Sequence, residues 1–158
     1  MGNFIRNMRK MIGPRKMIHP AARIVIENEL GEILLIRRRD TEQWGLIAGA
    51  LEENEDIRAC IIREVKEETG LQILDVVGVG ISSNPEKELS VYPNGDVVQY
   101  FTVVFYSNQW TGQLLQATEE TKEALFFPKN KLPPLAPNEA PSLKWVEVFK
   151  KSGQFIIE

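Results

Sequence analysis

The stretch Val97 to Tyr106 reads VVQYFTVVFY, and both of its side-chain parities are apolar: Val97, Phe101, Val103 and Phe105 on one, Val98, Tyr100, Val104 and Tyr106 on the other. Successive side chains of a strand point to opposite faces, so this segment needs cover on both. A sheet held between helical layers supplies it, which sets the expected class as α/β, with a mixed sheet in an α/β/α sandwich. The 158 residues suffice for one such core, so residues 1–158 are expected to form a single domain.

The rest of the chain fills in that plan. Ala21 to Glu27 and Glu32 to Arg37 are β-rich apolar runs joined by Asn28-Glu29-Leu30-Gly31, which predicts a hairpin. Trp44 to Gly49 is a short apolar piece entering a loop. A helix is expected from about residue 55 to 69, capped by Asn54 and stopped by Gly70. A strand over Gln72 to Ile81, a long loop to Asp96, a strand near Ala124 to Phe127 and a helix from about Asn138 to Lys151 complete the order. Residues 1–18 form a basic N-terminal extension, read as a helix that docks through Phe4, Ile5, Met8, Met11 and Ile12. The competing reading is an anion contact by the basic arm, since residues 1–26 hold Arg6, Arg9, Lys10, Arg15, Lys16 and Arg23 and no acid.

Several chemistries are excluded at once. A single cysteine, Cys60, forbids an internal disulfide and a multi-cysteine metal site, and a single histidine, His19, forbids a His-cluster zinc site. No apolar run approaches the ~18–20 residues that cross a bilayer, and charges interrupt the N-terminus throughout. No membrane is expected, and the expected location is the cytoplasm. A net charge of −3 gives no bulk attraction for a polyanion, so nucleic acid is not the expected partner. Metal or general-base chemistry must then rest on carboxylates.

The helix near residue 60 carries such carboxylates in an unusual place. With Ile57 set to zero and ~100° per residue, Glu64, Glu67 and Glu68 fall near ~340°, ~280° and ~20°. They share or border the apolar face of Ile57, Ile61 and Val65, while Lys66 lies opposite. Like charges at i,i+4 repel by about 0.2–0.5 kcal/mol even in water, and more near a core. A hard divalent cation is the natural counter-charge, because it takes oxygen ligands. Outward fraying of the glutamates is the competing reading.

The segment from Gly49 to Leu71, with Gly49, Glu55, Arg63, Glu64, Val65, Glu67, Glu68, Gly70 and Leu71 at fixed spacing, resembles the Nudix box G-x5-E-x7-R-E-U-x-E-E-x-G-U at every specified position. The flanking LLIRRR strand and Trp44-Gly45-Leu46 resemble the family's usual order around the box. The resemblance implies Mg²⁺ or Mn²⁺ held by Glu64, Glu67 and Glu68 with a main-chain carbonyl at Ala48 or Gly49, positioned by Arg63 and Glu55. It also implies metal-dependent hydrolysis of a diphosphate linkage in a nucleoside diphosphate derivative. The alternative is a non-catalytic Nudix module that senses a nucleotide or binds RNA or protein. Relatives often read Leu-Pro-Gly-Gly where this chain has Leu46-Ile47-Ala48-Gly49, a change that removes no carboxylate.

Outside the box, Glu120, beside Glu119 and Glu123, is the favoured general base, because relatives often place an acid before the following strand. Substrate contacts are expected from Arg38 within Arg37-Arg38-Arg39 and from Trp44 and Tyr92 stacking on a base. Pro85 lies near the position of a proline in ADP-ribose-hydrolysing relatives, although its loop needs no functional reason for it. The expected partner is a small-molecule nucleotide or diphosphate, with room left for a homodimer.

Overall fold

The computed structural model describes residues 2–158. Helix α1 (Asn3–Ile12) leads into strand β1 (Met17–Ile26), followed by β2 (Ile33–Arg38), β3 (Trp44–Gly45) and β4 (Ile47–Ala50). Helix α2 (Ile57–Thr69) precedes β5 (Gln72–Ser82), β6 (Leu89–Val91), β7 (Val97–Thr111) and β8 (Thr121–Phe127). Helix α3 (Ala140–Ser152) and the short strand β9 (Ile156–Ile157) close the chain.

Six strands form a mixed sheet in the order β4-β1-β7-β5-β9, with β6 on β7; β1 and β7 run parallel and most other pairs antiparallel. Three more, β3-β2-β8, form a second, antiparallel sheet that the sequence reading did not separate from the first. The expected hairpin is thus corrected. The chain does reverse through Asn28 to Gly31, but only a Glu27–Ile33 bridge forms before β1 and β2 diverge into different sheets. Beyond that bridge the edges of both strands are taken by others, β1 by β4 and β7 and β2 by β3 and β8, while both strands are buried on their two faces.

That double coverage defines the layers. Ile24, Ile26, Leu34 and Ile36 face α2, packing on Cys60, Ile61 and Val65, while the alternate Val25, Ile33 and Leu35 face α3 and pack on Trp145 and Val146. Each fully buried Ile or Leu contributes about 1.5–3 kcal/mol. Strand β7 divides likewise, with Phe105 toward α2 and Val104 and Tyr106 toward α3. Its first half departs from expectation, with Phe101 42% exposed.

Helix α1 docks through Ile5, fully buried, and through Phe4, whose ring lies 5.5 Å from that of His19. Met11, 80% exposed, and Ile12 do not contribute as expected. Arg9 takes their place; its guanidinium donates to the carbonyls of Gly13, Arg15 and Val97. On the α3 face, Arg23 and Glu88, each 3% exposed, form a two-pronged ion pair with both contacts at 3.1 Å. Ser82 and Thr102 also donate to Glu88, so the whole carboxylate is satisfied. Among the described residues no helix is long and apolar enough to cross a membrane.

Candidate active site

The site grows from the start of α2. Asp56, not Asn54, caps the helix, accepting from the Ala59 amide at 2.8 Å. Asn54 instead adopts φ 65° in the preceding turn, a conformation that asparagine tolerates. At the far end Gly70, at φ 80°, gives the expected left-handed stop.

Within this frame Arg63 organises three acids. It grips Glu55 with two prongs, Nη2 to Oε1 at 2.7 Å and Nε to Oε2 at 2.9 Å, and donates to Glu64 at 2.8 Å and to Glu67 at 3.3 Å. Two-pronged arginine–carboxylate bonding fixes direction as well as distance, and it holds Glu55 below the usual carboxylate range. Gly49 lies against Glu64 so closely that a methyl group built on it would overlap that carboxylate. A side chain at 49 would therefore have to displace Glu64 or the loop, a constraint set by contact rather than by φ.

Glu64 and Glu68 turn inward as the periodicity predicts, whereas Glu67 does not, its side chain being 58% exposed. Glu68 is 4% exposed, and its Oε2 has no hydrogen-bond partner. Burial pushes its pKa up to about 8, opposed by Arg38 and reinforced by Glu64, Glu120 and Glu67. Burial also raises Glu64, against the pull of Arg63. Among the described residues no three Asp, Glu, His or Cys side chains converge tightly enough to enclose an ion; Arg63 draws Glu64 and Glu67 to itself. The donors nevertheless fit a hard divalent cation in kind: carboxylates only, one with an orphaned buried oxygen, beneath a glycine that lets backbone come close.

The other expected site residues separate into two groups. The charges of Arg38 and Glu120 are both felt at Glu68, the first favouring its ionised form and the second opposing it. Trp44 lies elsewhere, edge-on to Phe127 at 4.9 Å in the cluster beneath α3, and the Tyr92 hydroxyl bonds that of Tyr100 at 2.6 Å beyond β6. The sequence reading missed Glu139. Its Oε2 accepts from the Leu46 amide at 3.0 Å, and Oε1 stands 3.8 Å from Arg38. No periodicity or motif signals a carboxylate at the start of a distant helix. Thr121, paired with Arg38 across β2 and β8, was also missed; its buried hydroxyl has no partner. Cys60, expected to be an inert packing residue, is fully buried, and burial pushes its thiol up to about 12.

Known proteins resemble this chain in sequence and in fold. The NUDIX domain family matches residues 17–146. The chain is 35% identical over 127 residues to the ADP-ribose pyrophosphatase of Methanocaldococcus jannaschii, covering 77% of this chain and 70% of that protein. It is 24% identical over 134 residues to the NAD-capped RNA hydrolase NudC of Pseudomonas aeruginosa, covering 82% of this chain but only 44% of that protein. The NUDIX domain of Shewanella oneidensis NrtR, solved with ADP ribose, has the same fold, with a TM-score of 0.70 at 15% identity over 94% of this chain and 98% of that one. With the box intact in sequence and its arginine, glutamates and glycine interlocked in space, the chain belongs to the Nudix family of pyrophosphohydrolases.

Proposed function

We propose that the protein is a Mg²⁺- or Mn²⁺-dependent hydrolase of a nucleoside diphosphate joined to a second group, with ADP-ribose the leading substrate. The observation that carries the metal requirement is Glu68, a buried carboxyl with an unpartnered oxygen among further acids. The likeness to the archaeal ADP-ribose pyrophosphatase supports the substrate.

In this reading Glu64, Glu67, Glu68 and the backbone near Gly49 hold the cation. When bound, such an ion polarises a diphosphate and acidifies a water molecule. Arg63 and Glu55 fix the direction of Glu64 and restrain Glu67. Arg38, half-buried and lightly paired, meets the negative charge of the diphosphate. Glu120, exposed immediately before β8, accepts the proton of the attacking water.

Incubation with ADP-ribose should release two phosphomonoesters only when Mg²⁺ or Mn²⁺ is present. Glu67→Gln and Glu68→Gln should lower that rate by orders of magnitude. Equal rates in wild type and both variants would refute the reading, and binding of ADP-ribose without turnover would favour a sensing module instead.

A further inference from the structure

Helix α1 precedes residue 17, where the family match begins, yet it is bonded to the loop that carries the box. Its first turn has no side-chain cap and no acid, which leaves its leading amides without an internal partner. Glu52, between Gly49 and Glu55, supplies one. Its Oε1 accepts from the Asn3 amide at 2.7 Å and its Oε2 from the Phe4 amide at 2.9 Å, an anion at the positive end of the helix. Gly2 makes room for this, since a methyl group there would overlap the same carboxylate.

The bonding continues inward without a break. The Glu52 amide donates to Glu55 Oε1 at 2.9 Å, Glu55 is gripped by Arg63, and Arg63 holds Glu64 and Glu67. A second strand of contacts runs beside it: Phe4 lies on His19, His19 Nε2 donates to the Leu51 carbonyl at 2.9 Å, and the Leu51 amide donates to Pro20. The loop from Gly49 to Glu55 is thus held from outside by α1 and from inside by Arg63.

We infer that α1 sets the geometry of the catalytic loop, with Glu52 as the positioning residue that connects them. The inference rests on the proposed hydrolytic role, but its first test does not need turnover. In the metal-free protein, Glu52→Ala should speed amide hydrogen exchange across residues 50–55 by about tenfold, the effect of losing charge-assisted bonds. Ile5→Ala, which loosens the seat of α1 and leaves every loop side chain in place, should accelerate the same amides. In the metal-loaded enzyme Glu52→Ala should lower kcat about tenfold while KM changes little, as for supporting residues behind metal ligands.

Wild-type exchange rates in the loop of both variants, with only a general fall in Tm, would overturn the inference. So would acceleration in Glu52→Ala but not in Ile5→Ala, which would confine the role of Glu52 to the loop. Absence of turnover in the wild type would count against the proposed function alone, because the exchange measurements still decide this point.

Discussion

Replacing Glu68 by glutamine separates what the carboxyl does for folding from what it does for chemistry. The side chain is 4% exposed, and its pKa rises from 4.5 to about 8 as the protein folds. Each pH unit of such a rise is worth ~1.36 kcal/mol, so ionising Glu68 in the fold costs roughly 5 kcal/mol. Below pH 4.5 the group is protonated whether the chain is folded or not, and no penalty arises. As pH climbs from 4.5 to 8 the unfolded chain ionises freely while the folded one resists, so wild-type stability falls through that window. At pH 7 the penalty has reached roughly 3 kcal/mol. Glutamine has the same shape and no charge. Urea unfolding in chelator should therefore show Glu68→Gln gaining on wild type by roughly 3 kcal/mol between pH 4.5 and 7, even as turnover collapses. A stability difference that stays constant between pH 5 and 8 would refute the argument that the acid is held there against its electrostatics.

Two further outcomes follow from packing. Gly49→Ala must displace either the Glu64 carboxylate or the loop, and steady-state assays should show activity reduced about 10- to 100-fold with a normal circular dichroism spectrum. Glu88→Ala leaves Arg23 buried without its counter-ion, which should cost about 3–5 kcal/mol in urea unfolding, whereas Arg23→Met with Glu88→Leu should recover most of it.

Features encoded by short-range pattern were legible in the sequence. The period of α2 placed Glu64 and Glu68 inward, Gly70 marked its end, and the two apolar parities of β7 announced the layers that α2 and α3 form around it. What escaped depended on contacts between distant segments. Asn28 to Gly31 signalled a reversal but not that β1 and β2 would join different sheets, because turn chemistry fixes direction and not partners. Asn54 and Asp56 are both good caps, and only the loop geometry that gives Asn54 a positive φ decides between them. Glu139 reaches Leu46 across 93 positions and Glu52 reaches Asn3 across 49, separations at which no local rule operates. Glu67 misled for a different reason: at ~280° it borders the buried face, and attraction by Arg63 at the surface outweighs inclusion.

Arg63 has a consequence of its own. By sharing one positive charge among Glu55, Glu64 and Glu67 it offsets the mutual repulsion of three acids, and so ties the turn before α2 to the middle of that helix.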